Sequence, residues 1–144
     1  MNKRDYSIYL ARWAESENEI RSIRSEVFIK EQHVPEELEW DGMDEEAIHV
    51  IAMDENQQPV GTGRLLSTGQ IGRMAVLPQE RNKGIGSDML DTLIRYAQQH
   101  LATTVFLNAQ LYAVGFYKRH GFVQVGENFE DANIPHCKMV HNIK

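Results

Sequence analysis

Residues 81–86 read Arg-Asn-Lys-Gly-Ile-Gly and stand between two segments of different periodicity. Residues 71–77 favour a strand that Pro78 stops, and apolar residues at helical spacing follow from about Ser87. A strand that leads through a glycine turn into a helix makes an anion site, because the first backbone N–H groups of the helix have no partner inside it. Glycine also lets the backbone approach a phosphate closely, and the Arg and Lys add positive charge. The stretch therefore predicts a site for a phosphorylated cofactor.

Two better-known phosphate motifs are excluded by residues that are missing. A P-loop requires Gly-x-x-x-x-Gly-Lys-Ser/Thr, which does not occur here. A dinucleotide-binding turn requires a third glycine, where Met89 stands after Gly84 and Gly86, and an acidic residue after the next strand, where residues 106–108 read Phe-Leu-Asn. Taken alone, the Gly-x-Gly pair indicates only a helix that begins after a flexible turn.

The composition is typical of one globular domain that covers residues 1–144. Of these residues, 42% are hydrophobic and 25% are charged, and no apolar run approaches the ~18 residues that a membrane helix needs. The N-terminus lacks the apolar stretch of a signal peptide, and the single Cys137 cannot form an internal disulfide, so we expect a cytoplasmic protein. The net charge of −6 disfavours nucleic acid, and the 6 histidines lack the spacing of metal ligands, so neither a nucleic-acid partner nor a metal is expected.

Negative charge is concentrated in residues 36–46, which we call the acidic segment. Residues 31–63 contain no Lys or Arg. One interpretation is a solvated loop, and the other is an acidic lip that attracts a cationic substrate. The sequence leaves both open. The carboxylates of the segment are Glu36, Glu37, Glu39, Asp41, Asp44, Glu45 and Glu46.

Periodicity predicts a mixed α/β (α+β) fold. Short connections between three predicted strands indicate an antiparallel meander, and a strand–helix–strand unit after it indicates a parallel crossover pair. The predicted elements are a strand at 6–10, a helix opened by a capping box at Ser16 and Glu19 with apolar positions to 28, strands at 48–53, 60–67 and 71–77, a helix from about 87 to 101, a strand at 104–107, a helix at 111–120 capped by Gly121, and strands at 122–125 and 136–141.

Two motifs in this order resemble the GNAT superfamily of acyl-CoA-dependent N-acetyltransferases. Residues 72–78 followed by Arg-x-x-Gly-x-Gly at 81–86 are similar to the family core, Arg/Gln-x-x-Gly-x-Gly/Ala. The resemblance extends from Tyr6 to the C-terminus and implies the GNAT fold, with helices on both faces of the sheet. The second motif is the Asn that ends a strand and the Ala-x-x-Phe-Tyr-x-x-x-Gly-Phe helix after it, here Asn108, Ala113, Phe116, Tyr117, Gly121 and Phe122.

A shorter segment is similar to one branch of this family. Residues 31–35, which read Glu-Gln-His-Val-Pro, together with Glu39 and Asp41 resemble the small bacterial ElaA-like proteins.

The resemblance implies that acetyl-CoA is the acyl donor and lies where the strand before the glycine turn parts from the next parallel strand. Backbone groups of Met74 and Val76 would pair with the pantetheine arm, and the Met74 N–H would stabilise the thioester carbonyl as charge develops. Residues 81–87 would hold the pyrophosphate. The implied cofactor-binding residues are Met74, Ala75, Val76, Arg81, Asn82, Lys83, Gly84, Ile85, Gly86, Ser87, Asn108, Phe116 and Tyr117.

The same resemblance makes Tyr117 the general acid for the thiolate that leaves. A thiol has a pKa of about 8.5, so a proton donor there helps only moderately. The general base stays open, and the candidates are Glu31, His33, His49 and His136. A His136–Cys137 dyad is disfavoured, because neighbouring strand residues point to opposite faces.

These expectations predict an acyl-CoA-dependent N-acetyltransferase that moves acetyl to a primary amine by direct attack in a ternary complex. The acceptor would be a small molecule or a peptide, cationic if the acidic segment is a lip, and family relatives suggest a homodimer. The alternative is a catalytically silent acyl-CoA sensor or partner-binding module that retains the cofactor groove.

Overall fold

The computed structural model describes residues 5–101 and 104–143, which form two sheets. The expectation about a signal peptide rests partly on residues 1–4, which lie outside these ranges. The first sheet is antiparallel in the order β1-β2-β3-β4, and the second has the order β5-β7-β6. The strands are β1 (Tyr6–Ala11), β2 (Ile48–Asp54), β3 (Pro59–Leu65), β4 (Ile71–Val76), β5 (Thr104–Gln110), β6 (Val123–Asp131) and β7 (Ile134–Asn142).

The helices differ from expectation mainly in the first one. It begins at Trp13, three residues before the predicted capping box, and Ser16 (φ −130°, ψ 19°) forms a kink inside it rather than a cap. Trp13 is buried against Ile20 and Ile51, and this tertiary contact extends the helix past a local capping signal. The helices are α1 (Trp13–Arg24), continued by a π-helical stretch Ser25–Glu31, α2 (Glu36–Glu39), α3 (Ile85–His100) and α4 (Val114–Arg119), with 3-10 turns at Pro78–Glu80 and Leu111–Ala113.

The first sheet carries helices on both faces, as the resemblance implies. Val50 and Ala52 point into the main core with α3, whereas Ile51, between them, packs on α1. This alternation follows from the two-residue period of a strand. Each apolar side chain that α3 buries fully in this core contributes roughly 1.5–3 kcal/mol. The predicted meander and its layers are confirmed. Within the described residues, no helix is long and apolar enough to cross a bilayer.

β4 and β5 run parallel but separate almost at once. One isolated parallel bridge joins Gln70, just before β4, to Phe106 of β5, and the Phe106 N–H donates to the Gly69 carbonyl at 3.1 Å. Beyond this point β5 pairs only with β7. The two sheets therefore open like a V toward the C-terminal ends of β4 and β5.

The last hairpin is longer than the sequence predicts. β6 and β7 run through a two-residue turn at Ala132 (φ 52°) and Asn133 (φ 64°), which is the left-handed geometry of a tight hairpin. The sequence predicted that β6 ends at Val125. The structure continues it past a shift in pairing between Val125 and Phe129, and such an irregularity breaks the alternation of apolar residues on which the prediction relied. The hairpin tip reaches over the opening of the V.

Candidate active site

Two cavities flank the opening between β4 and β5. The larger has a volume of about 600 Å³ and the smaller about 280 Å³. Met74 on β4 and Tyr117 on α4 line both, so the cavities adjoin at these two residues. The other shared lining residues are Gln32, Tyr112 and Ala113.

The larger cavity is built around the start of α3. Gly84, the residue before the helix, has φ 91°, a left-handed conformation that suits glycine. The first intrahelical bond runs from the Asp88 N–H to the Gly84 carbonyl, so the N–H groups of residues 85–87 precede the helix ladder. These groups and the helix dipole favour an anion. The implied cofactor residues that line this cavity are Met74, Ala75, Val76, Arg81, Asn82, Gly84, Ile85, Gly86, Ser87, Phe116 and Tyr117.

Most positive charge around this cavity is already paired. Arg81 makes two hydrogen bonds to the Glu31 carboxylate, at 2.7 and 2.8 Å, and its Nε donates to the Val76 carbonyl at 2.9 Å. The hydrogen bonds from Arg81 hold the pKa of Glu31 below its usual value. Lys83, which does not line the cavity, pairs with Glu80 at 3.0 Å.

Arg119 lines the larger cavity but is not among the residues predicted from the sequence to bind the cofactor. It has no ion pair among the described residues, so its charge is available to a ligand. The signal was present in the sequence: Arg119 stands three residues after Phe116, and residues three apart share a helix face.

Ser87 is held in place from α4. His120 Nε2 lies 3.1 Å from Ser87 Oγ, and His120 Nδ1 lies 3.1 Å from Asp91 Oδ1. Ser87 and Asp91 are one helical turn apart on α3, so the imidazole bridges one face of that helix. The bridge fixes the first turn of α3 against α4.

β4 carries a bulge beside the junction of the cavities. Thr62 pairs with Ala75 and Arg64 with Gly72, so one β3 residue faces both Arg73 and Met74. Such a two-for-one count leaves a residue out of the ladder and redirects the strand. Arg73 has φ 51°, which is rare for a residue with a side chain.

The Met74 side chain closes the other side of this bulge. It covers Gly63, the β3 residue opposite, where an added Cβ would clash with the Met74 sulfur. Glycine at this position therefore lets the bulge and the side chain fit together.

Tyr117 lies at the junction with its ring in an aromatic cluster. The ring meets Phe116 and Phe122 edge to face, with centroids 5.1 and 5.9 Å away. Its hydroxyl makes no hydrogen bond to any described residue. Burial, and secondarily the charge of Tyr112, raises the pKa of Tyr117, so the phenol keeps its proton at ordinary pH.

Of the candidate bases, only His136 lines a cavity. It lies in the smaller cavity, on β7 opposite Gln110 of β5. Its Nδ1 is 2.6 Å from the Ile134 carbonyl, which can only accept, so the neutral ring carries its proton on Nδ1 and its lone pair on Nε2. Its neighbour Cys137 points the other way into the core, and burial raises the pKa of that thiol.

The remaining base candidates lie elsewhere. His49 is fully buried, its Nε2 bonds to the Asp44 carbonyl, and desolvation lowers its pKa. Glu31 is the counter-ion of Arg81, and His33 lines neither cavity. Asn108 lines the smaller cavity, not the larger one that holds the other implied cofactor residues. Among the described residues, no cluster of potential metal ligands occurs.

Part of the acidic segment is a buried ion network. Arg24, fully buried, pairs with Glu39 at 2.7 Å and Asp44 at 2.6 Å. Arg64 pairs with Asp41 at 2.9 Å and Asp44 at 3.0 Å. Glu39 and Asp44 thus face arginines from inside the fold, Asp41 pairs with Arg64 and stays partly exposed, and the other carboxylates face solvent.

The network affects its carboxyls differently: burial raises the pKa of Glu39, whereas the pKa of Asp41 is lowered. Burial opposes ionisation of this carboxyl, but hydrogen bonds from Arg64 and the Met43 N–H, with the charges of Arg64 and Arg73, lower its pKa to about 2.

Comparison with known proteins decides the family. A family profile for the acetyltransferase (GNAT) domain matches residues 12–143. The chain belongs to the GNAT acetyltransferase family. Bacillus subtilis (strain 168) has a GNAT relative, the uncharacterised N-acetyltransferase YjcF, that is 40% identical over 122 residues, which is 82% of this chain and 86% of YjcF.

Solved GNAT structures agree with the fold. A Pseudomonas aeruginosa acyl-CoA N-acyltransferase superposes with a TM-score of 0.83 at 29% identity, covering 94% of this chain and 99% of that one. Escherichia coli ElaA superposes with a TM-score of 0.84 at 26% identity, with the same coverage. The resemblance to the ElaA-like branch is confirmed. Membership of the GNAT family supports acyl transfer from an acyl-CoA.

Proposed function

We propose that the protein transfers acetyl from acetyl-CoA to a small primary amine by direct attack. The observation that carries this proposal is that two cavities adjoin at Met74 and Tyr117. One cavity has the features of a phosphate-binding cleft at the start of α3, and the other reaches the same two residues from β5, β7 and the hairpin tip. A donor and an acceptor can therefore be held together, which is the requirement for direct transfer.

The larger cavity fits acetyl-CoA. The N–H groups at the start of α3 bind the pyrophosphate. Arg119 supplies an unpaired positive charge, because Arg81 and Lys83 are paired with Glu31 and Glu80. The β4 edge toward β5 lacks a continuous strand partner, so its backbone can pair with the amides of the pantetheine arm. When bound, acetyl-CoA supplies the activated acyl group.

Met74 and Tyr117 act on the two ends of the bond that breaks. The N–H of Met74, at the bulge, stabilises charge on the carbonyl oxygen. Tyr117 holds a proton at Oη for the sulfur that leaves, and its raised pKa suits a donor rather than a base.

His136 receives the proton that the amine must lose. Its Nε2 lone pair is defined by the Nδ1 bond to Ile134, and the ring is packed on Phe129 at 5.9 Å between centroids. Its place in the smaller cavity puts it on the acceptor side of β4.

The acceptor is a compact amine, because the smaller cavity holds only about 280 Å³. Asp131, at the hairpin tip, has no ion pair among the described residues and lines this cavity. A cationic amine is therefore favoured, through Asp131 rather than through the whole acidic segment.

A panel of primary amines with acetyl-CoA, read by released CoA thiol, tests the proposal. We expect accelerated transfer to at least one small cationic amine. Tight acetyl-CoA binding by calorimetry with no accelerated transfer to any amine would instead support the silent acyl-CoA-binding module.

A further inference from the structure

Arg73 occupies a conformation that its own chemistry does not favour. Its φ of 51° lies in the left-handed region, where the side chain crowds the backbone and strains the residue. A conformation of this kind persists only where surrounding contacts hold it. The side chain of Arg73 shows what those contacts are.

The guanidinium of Arg73 is fastened to the acidic segment. Its Nη2 donates to the Leu38 carbonyl at 3.3 Å, the Glu39 carbonyl at 3.1 Å and Asp41 Oδ2 at 3.1 Å. Its Nε lies 3.1 Å from Glu39 Oε2, as an ion-pair contact outside hydrogen-bond geometry. One side chain therefore joins the β4 bulge to residues 38–41.

The partners of Arg73 are themselves fixed. Arg24 holds the Glu39 carboxylate from the fully buried side, and Arg64 holds Asp41 through both of its Nη atoms. Glu39 and Asp41 thus form a fixed support beside the bulge.

We propose that Arg73 is a positioning residue for acyl transfer: its tie to the acidic segment sets the β4 bulge and so aims the neighbouring Met74 N–H at the reacting carbonyl. The proposal rests on the proposed function. It also gives the acidic segment a role that neither a solvated loop nor an acidic lip describes.

The expected consequence is a loss confined to turnover. If the tie is lost, the strained backbone relaxes, and a displacement of about 1 Å at a reacting group can slow a reaction up to about a hundredfold. The phosphate site at the start of α3 does not depend on Arg73, so acetyl-CoA affinity stays the same.

Arg73→Gly separates positioning from stability. Glycine tolerates φ 51° but is not confined to it, so the variant adds no strain, and without the tie the bulge can leave the conformation that aims the Met74 N–H. We expect kcat to fall about tenfold or more, with Tm and acetyl-CoA Kd nearly unchanged. Arg73→Lys keeps the charge without the fork and should fall between wild type and Arg73→Gly.

A matched carboxylate pair provides the control. Asp41→Asn weakens the contact to Arg73, whereas Asp44→Asn removes a carboxylate that pairs with Arg24 and Arg64 but not with Arg73. We expect Asp41→Asn to lower kcat and Asp44→Asn to lower Tm without lowering kcat. Equal effects of the two on kcat would show a structural network only and would overturn the proposal.

Two further outcomes would also overturn it. Normal kcat in Arg73→Gly would overturn the proposal. A raised acceptor KM at normal kcat would also overturn it, because that result makes Arg73 an acceptor-binding residue. NMR of the Met74 amide keeps the proposal testable even if no amine is acetylated. Its resonance should shift in Arg73→Gly and Asp41→Asn but not in Asp44→Asn, and absence of that pattern would refute the positioning role independently of the proposed function.

Discussion

The larger cavity and the smaller cavity are built in different ways. The proposed phosphate end of the larger one is lined by near-consecutive residues, Arg81, Asn82 and 84–87, whose backbone would form the site. The smaller one collects side chains from distant segments, such as Arg73 on β4 and His136 on β7. The first kind of site is encoded locally, and the second exists only after the sheets have met. The predictions below test this division between backbone and side-chain control.

The largest effect is expected at the start of α3. Gly86→Glu places a carboxylate among the N–H groups that favour an anion. The added Cβ alone would lie 3.5 Å from the Phe116 ring. We expect acetyl-CoA affinity to fall about a hundredfold or more, measured by calorimetry, with the fold intact by circular dichroism. Unchanged binding would remove the phosphate site from this turn.

His136→Ala tests the smaller cavity alone. Loss of a general base lowers a rate by about a hundredfold or more, whereas acetyl-CoA Kd should stay the same. Imidazole added to the solution should restore part of the rate, since removal of the side chain leaves space for it beside β7. His100→Ala, at the end of α3 and outside both cavities, serves as the control. Failure of imidazole to restore any activity would count against His136 as the base.

Tyr117→Phe tests the junction of the two cavities. We expect kcat to fall about tenfold, because the thiolate that leaves needs only moderate help, with cofactor affinity retained. Since burial raises the pKa of Tyr117 above its usual value of about 10, the ratio of wild-type to variant rates should be constant from pH 7 to about 9.5.

The raised pKa of Tyr117 also affects stability at high pH. Its contribution is complete below the unfolded value of about 10 and is lost as pH rises through the folded value. The stability difference between wild type and Tyr117→Phe should therefore change only above pH 10. Denaturant unfolding measures this difference at each pH. A change in the stability difference already at pH 8 would contradict the burial argument.

Arg119→Gln compared with Lys83→Gln sharpens the account of the larger cavity. Arg119 is exposed and has no ion pair among the described residues, whereas Lys83 is paired with Glu80. We expect acetyl-CoA Kd to rise about fivefold for Arg119→Gln and less than about twofold for Lys83→Gln, with a smaller difference at high salt. Equal changes would mean that overall charge, not placement, governs affinity.

The smallest effect is expected from the exposed part of the acidic segment. Glu36 and Glu37 are exposed and line neither cavity. Replacing both with Gln should raise the acceptor KM less than about twofold, and only at low ionic strength. A large rise at low salt that disappears with added salt would restore the acidic lip.

The sequence predicted what depends on local backbone. The meander, the glycine turn and the Gly121 cap (φ 94°) are each determined by a few neighbouring residues. The capping box at Ser16 failed because burial of Trp13 extends α1 beyond the local signal. Local sequence therefore predicted most of the fold, and the phosphate site at the glycine turn stays a prediction.

The rest depends on contacts between distant residues. Nothing near Arg73 in the chain indicates a left-handed residue, because the support comes from residues 38–41 across the fold. His49 and His136 were indistinguishable as bases, since both stand on strands and only their tertiary surroundings differ. The role of the acidic segment could not be decided from sequence for the same reason. Its ion-pair partners include Arg64 and Arg73, which lie outside the lysine- and arginine-free stretch 31–63 and reach the segment only in the folded protein.

Cys137 has a practical consequence for the assay of released CoA. It is the single cysteine of the chain, it is fully buried in the core, and burial raises the pKa of its thiol. Disulfide reagents react with thiolates that they can reach, and this thiol is neither ionised nor accessible in the folded protein. A colorimetric thiol reagent can therefore be present throughout the reaction. Any colour beyond the product signal would report unfolding, so one measurement follows both turnover and the integrity of the core.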